Sequence, residues 1–244
     1  INVIGQDVTS YGRDVGLNLQ DLLQELLTVN GDYFLRLLYM HPRWITEGLI
    51  DIMAAEERIL PYVDVPIQHS EDRILKAMNR GYTRADLERL LALLRERIPG
   101  ATLRTSIIVG FPGEGDGEFD ALCRFVERFP FDNLGAFMYS REEGTAAYRM
   151  AGQVPKATKK RRFEALMELQ GAISKKRLQG RVDTYTQVIV EEEGAQFRLG
   201  RALFQAPDID GLAFVQGPCR VGEIRRAKIV KTLDYDVIVE TRDS

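Results

Sequence analysis

The chain has 244 residues, 45% of them hydrophobic and 28% charged, with a formal net charge of -3. That composition excludes a disordered or collagenous chain and a protein that coats nucleic acid over its whole surface, and it suffices for one sizeable core plus a small appended domain. The longest uncharged apolar runs, such as residues 105–112, fall far short of the ~18 residues that a membrane-spanning helix needs, so no membrane contact is predicted.

The first four residues read as a strand already under way, which predicts that the chain is cut from a longer one. Further short apolar runs at 34–39, 63–67, 103–109 and 134–139 read as strands. Between them Leu19, Leu22, Leu23, Leu26 and Leu27, and again Leu87, Leu90, Leu91 and Leu94, recur at helical spacing. Successive strand–helix units without a Gly-rich dinucleotide fingerprint predict an α/β fold, part of a parallel barrel rather than a Rossmann sheet. Cys123 falls among Leu122, Phe125 and Val126 in a further helix and is expected in the core. The other cysteine, Cys219, follows Gly217-Pro218 at a turn. Two cysteines cannot build a disulfide framework, and a reducing cytoplasm is expected.

From 156 to 181 there are nine basic residues against two acidic ones, with Phe163, Leu166, Leu169 and Ile173 at helical spacing. This pattern predicts an amphipathic helix whose basic face is either solvated or meets a polyanion. A domain boundary is placed at 179/180. Beyond it, runs at 186–190, 197–203, 212–215, 223–229 and 235–239 alternate in polarity and are separated by turn residues, which predicts a small antiparallel β-barrel over 180–244. From Val182 onward that module carries eight basic and eleven acidic residues.

In parallel barrels function gathers at the carboxyl ends of the strands, so the residues that follow each apolar run matter most. These are Gly5-Gln6-Asp7, His41-Pro42-Arg43, Gln68-His69-Ser70 and Tyr139-Ser140-Arg141-Glu142, while the fourth strand contains Thr105-Ser106 and ends in Gly110-Phe111-Pro112-Gly113-Glu114. So many polar groups on one rim predict a cleft. Gly110 and Gly113 serve either a tight turn or the close approach of backbone to a planar ligand such as adenine. The two histidines, His41 and His69, have no cysteine or acidic cluster at ligand spacing, so no metal site is predicted.

The segments Gly5-Gln6-Asp7-Val8-Thr9-Ser10-Tyr11-Gly12, Gln68-His69 followed by Leu75-Lys76-Ala77-Met78-Asn79-Arg80, Arg104 through Glu114, and Phe137-Met138-Tyr139-Ser140-Arg141-Glu142-Glu143-Gly144-Thr145 together resemble the radical SAM methylthiotransferases. The resemblance runs over nearly the whole chain in order, and the final barrel is similar to the TRAM domain that ends those enzymes. It implies a transferase using S-adenosyl-L-methionine (SAM) and two 4Fe-4S clusters. One cluster cleaves SAM to a 5'-deoxyadenosyl radical that abstracts a hydrogen, the second delivers sulfur, and a second SAM supplies the methyl group. The CxxxCxxC cluster motif and three further cysteines of the family are absent from this sequence, so the resemblance implies an amino-terminally truncated fragment, inactive and without iron of its own.

Within the family, Asp64-Val65-Pro66-Ile67-Gln68-His69, Leu103-Arg104-Thr105 and Leu37-Leu38-Tyr39 resemble the branch that methylthiolates the β-carbon of an aspartate in ribosomal protein S-twelve. The implied partner of the TRAM module is that protein or the small ribosomal subunit, since acidic groups suit a basic protein. A tRNA adenosine methylthiotransferase, with tRNA as partner, is the alternative. A cofactor-free RNA- or protein-binding module is the reading from a different class. The resemblance implies SAM contacts for Gln68, for Arg80 through the SAM carboxylate, for Ser106 near the ribose or methionyl group, and for the Val109 backbone near adenine. Gln6 and His41 are expected on the same rim, and no catalytic residue is assigned.

Overall fold

Five short strands, β1 (Asn2–Val3), β2 (Leu35–Leu37), β3 (Ile59–Asp64), β4 (Thr102–Val109) and β5 (Asn133–Met138), pair in chain order as one parallel sheet. The computed structural model describes residues 1–241; Arg242 and Asp243, which enter the charge count of the terminal module, lie outside the described residues. Parallel neighbours need crossovers, and these are supplied by α1 (Leu19–Thr28), α2 (Glu47–Ala55), α3 (Asp72–Ala77), α4 (Arg84–Arg97) and α5 (Asp116–Arg128). Local chemistry starts the helices where it should. Asn18 with Asp21 and Thr83 with Asp86 form capping boxes that satisfy the first free N–H groups of α1 and α4.

The third strand is a correction to the sequence pattern, which puts it at 63–67. Pro61 argues against a central strand because it donates no ladder hydrogen bond. It is tolerated because it falls where the pairing with β2 slips: Leu35 pairs with Ile59, but Leu37 pairs with Val63. Tyr62, Phe125 and Phe131 are the largest fully buried side chains of the core.

The chain divides into two compact units, Ile1–Leu169 and Gln170–Ser244, and the division falls inside α6 (Lys156–Gln179). Not all basic residues of α6 face water, because Arg162 is buried. In the second unit β6 (Tyr185–Glu192), β7 (Arg198–Ala202), β8 (Ala213–Gln216), β9 (Ile224–Thr232) and β10 (Val237–Thr241) close a barrel in the order β10-β8-β7-β6-β9. An entirely antiparallel barrel was the expectation, yet β10 pairs parallel with β8. A closed ring with an odd number of strands cannot alternate direction all the way round, so one parallel seam is geometrically required. Its core is made of small and β-branched side chains, among them Val188, Val190, Ala202, Val215, Ile229 and Val239. Among the described residues no helix is long and apolar enough to cross a membrane.

Candidate cofactor cavity

Strand β4 sets the floor of the site through its two-residue period. Thr105, Ile107 and Val109 are buried, while Arg104, Ser106 and Ile108 on the opposite face are partly open. Ser106 and Ile108 line a cavity of about 330 Å³ together with Gln6, Tyr39, His41, Pro66, Gln68, Arg80 and Phe137. Five of the six residues expected to contact SAM thus meet in one place, and the sixth does not. Val109 is fully buried, and its carbonyl already accepts the N–H of Tyr139 at 2.9 Å. The alternation on β4 turns the Val109 side chain to the opposite face from Ser106 and Ile108, while the expectation for Val109 concerned its backbone. Ile108, Phe137, Tyr39 and Pro66 were missed from sequence. The first two were findable by period and register, because Ile108 lies two residues after Ser106 and pairs with Phe137.

The backbone around the cavity and the side chains of His41 and Arg80 are held in place. Thr9 and Asp7 bond through their side chains, and the N–H of His41 reaches Thr9 Oγ1 at 3.2 Å, so the loop carrying Gln6 is tied to the end of β2. Gln68 has a φ of +62°, Tyr39 a φ of +58°, and the Gln68 N–H donates to Ser106 O at 2.9 Å. The guanidinium of Arg80 donates to Tyr82 Oη at 2.9 Å and to Pro66 O at 3.1 Å, which leaves Nη1 without a hydrogen bond among the described residues. His41 accepts the Arg43 N–H on Nδ1 at 3.3 Å, so its ring hydrogen is carried by Nε2.

Burial pushes the pKa of His41 below its ordinary 6.5, with the positive charge of Arg80 acting in the same direction and Asp7 opposing it. The unfolded chain then takes up a proton more readily than the folded one, so stability from this group is lost as pH falls through about 6.5. A nuclear magnetic resonance titration of the His41 ring is expected to give a midpoint below 6.5, and a midpoint above it would contradict this electrostatic account.

Cys123 is half-buried rather than a full core residue, and burial followed by the nearby carboxylates Asp120 and Glu127 pushes its thiol up to about 11. It should therefore react with iodoacetamide at pH 8 at least about tenfold more slowly than an ordinary thiol, as read by peptide mass spectrometry. Cys219 is buried in the second unit. Among the described residues no group of three or more His, Cys, Asp or Glu side chains is arranged to hold a metal ion. A second hollow of about 470 Å³ lies in the loop after β5, lined by Glu143, Thr145, Tyr148 and Arg149, and none of the expected residues reaches it.

The Radical SAM superfamily profile matches residues 3–126, and the TRAM domain profile matches 182–241. Among curated proteins the chain is 47% identical over 246 residues to the "Ribosomal protein uS12 methylthiotransferase RimO" of Geobacter sulfurreducens, covering 98% of this chain and 55% of that protein. It is 42% identical over 239 residues to the protein of the same name from Thermotoga maritima, covering 97% of this chain and 56% of the relative. The chain therefore spans about half the length of the curated relatives it matches. Among solved structures, coproporphyrinogen III oxidase (HemN) from Escherichia coli, described as a radical SAM enzyme, aligns over 66% of this chain and 38% of its own with a TM-score of 0.53 at 21% identity, a likeness of fold. The profile covers half of the chain, β2, β3 and β4 of the parallel sheet lie in that half, and the cavity opens at the strand ends: the chain belongs to the radical SAM superfamily.

Proposed function

We propose that this chain is the SAM-holding and substrate-docking part of a methylthiotransferase that acts on an aspartate of ribosomal protein uS12. The observation that carries the reading is the convergence of Gln6, His41, Gln68, Arg80 and Ser106 on one cavity. The donor set suits the ligand. Arg80 offers a guanidinium to a carboxylate, Gln68 and Ser106 offer an amide and a hydroxyl to a ribose, and Ile108 and Phe137 offer apolar surface to a purine. When bound, SAM supplies adenosyl and methyl groups. The chain's own residues bind it, orient its amino-acid end and shield it from water.

Arg80→Ala should weaken binding of S-adenosylhomocysteine by about 1.5–3 kcal/mol, the scale of a charge-assisted hydrogen bond. Because Arg80 also braces Tyr82 and Pro66, Arg80→Lys is the control: it keeps a cation and should retain part of the affinity. Unchanged affinity in Arg80→Ala by calorimetry would return Arg80 to a purely structural role.

Support for the uS12 substrate comes from relatives of that name at 42–47% identity and from the acidic excess of the barrel. Several of those acids are already engaged, Glu191 by Arg201, Glu193 by Arg198 and Asp183 by Lys228, so Glu192 is the cleaner probe. Glu192→Lys should weaken binding of a basic ribosomal protein to the chain, and rising salt should do the same, with a Debye length of about 8 Å at physiological ionic strength. One observation favours an RNA contact as second reading: Arg226 lies 4.5 Å over the exposed ring of Tyr185, a stacking platform of the kind single-stranded RNA uses. A preference for tRNA over the ribosomal protein at equal salt, lost in Arg226→Ala, would favour the tRNA enzyme.

A further inference from the structure

We propose that His69, Glu114 and Arg162 form a buried relay that positions the backbone around the cofactor cavity. Arg162 on α6 orients the Glu114 carboxylate, and that carboxylate fixes His69, next to Gln68, and Gly110, at the end of β4. The inference rests on the reading above only for the identity of the ligand.

The geometry is specific. The side chains of His69 and Glu114 are 0% exposed and that of Arg162 4%. Glu114 Oε2 accepts the N–H of Gly110 at 2.9 Å and lies 3.5 Å from Nε2 of His69. Its Oε1 accepts Arg162 Nη1 at 2.9 Å, the same nitrogen donates to the Glu114 carbonyl at 3.0 Å, and Nη2 donates to Asp116 Oδ1 at 2.8 Å. Nδ1 of His69 accepts the Glu71 N–H at 3.0 Å, so the ring hydrogen is carried by Nε2. Nε2 makes no hydrogen bond among the described residues, and the Glu114 carboxylate, 3.5 Å away, is the charged group that it faces.

What such a relay holds includes backbone that the chain does not adopt cheaply: Gln68 sits at a φ of +62°, whereas Gly110, at +72°, takes the left-handed region without that cost. A non-glycine residue in the left-handed region costs about 1–3 kcal/mol and persists only where its surroundings over-determine it. Gln68 is pinned on one side by its bonds to Ser106 O and Ile108 N, each 2.9 Å. The side chain of His69, the very next residue, pins the other. A single carboxylate therefore couples the two strand ends that flank Ser106 and Ile108, and these positioning residues touch no ligand themselves.

Paired isosteres in the 244-residue chain separate this from simple core filling. His69→Gln places an amide nitrogen where Nε2 reaches Glu114. His69→Asn reproduces the acceptor for Glu71 but stops short of the carboxylate. Amide hydrogen exchange at Gly110 and Ile108 is expected to speed up about tenfold in His69→Asn, equivalent to ~1.4 kcal/mol, and to stay within about twofold of wild type in His69→Gln. Arg36, on β2, serves as the unaffected reference amide. S-adenosylhomocysteine binding should follow the same split. Arg162→Lys, which keeps the charge but gives up the fork, provides the comparison where His69→Asn does not fold. Equal exchange at Gly110 in both histidine variants, or acceleration spread equally to Arg36, would overturn the relay. If the wild-type chain binds no S-adenosylhomocysteine while the exchange pattern holds, the relay stands and the cofactor assignment falls.

Discussion

Arg162→Met is expected to destabilise the first unit by about 3–5 kcal/mol, because it strips the partner from a buried carboxylate and leaves the charge uncompensated. Glu114 is enclosed on every side, and its remaining contacts are the Gly110 N–H and His69. The loss is separable from the rest of the chain, since the single tryptophan, Trp44, lies in that unit and its fluorescence in a urea titration reports it alone. In Arg162→Met/Glu114→Gln the stranded charge is gone while Gly110 N–H keeps an acceptor, so much of the loss should return. A change below about 1 kcal/mol in the single variant would mean that water reaches the carboxylate and that the pair is a surface pair in energetic terms.

Gly200→Val is expected to cost the barrel about 3 kcal/mol or more, at the upper end for overpacking. Gly200 pairs with Val190 and with Ala213 between its neighbours, and a Cβ there would overlap the carbonyl oxygen of Ile189 and come within 3.2 Å of Val188 Cγ1. A carbonyl in a ladder cannot swing aside as a side chain can. The outcome to look for is loss of amide protection along β6 and β7 with Trp44 fluorescence unchanged. Retained protection at Val188 and Val190 would show that the barrel opens locally to admit the side chain.

Much of this architecture is legible in the order of residues. The helices whose leucines repeat at three and four residues are present at α1 and α4, since an amphipathic face has one place to go on a sheet. The strand β3 was not legible in the right place because Pro61 hides it; only the slip in pairing with β2, a tertiary feature, makes room for that residue. In the cavity, Ser106 follows from a polar residue in an apolar strand, whereas Phe137 and Tyr39 look like ordinary strand residues until register and a positive φ turn them toward the rim. At Val109 the two-residue period turns the side chain into the core, whereas the contact expected of that residue is made by its backbone. The role of Arg162 was hidden in a run of basic residues, because charge runs carry no sign of which member folds inward.

The proposed function requires that the cavity at the carboxyl ends of the strands hold SAM by its amino-acid end, and a crystal structure of this chain grown with S-adenosylhomocysteine shows whether it does. The expected result is the ligand lying over Ser106 and Ile108 with its carboxylate within hydrogen-bond distance of the Arg80 guanidinium and its purine against Phe137. A ligand bound elsewhere, or bound in this cavity with its carboxylate turned away from Arg80, would rule out that placement of SAM.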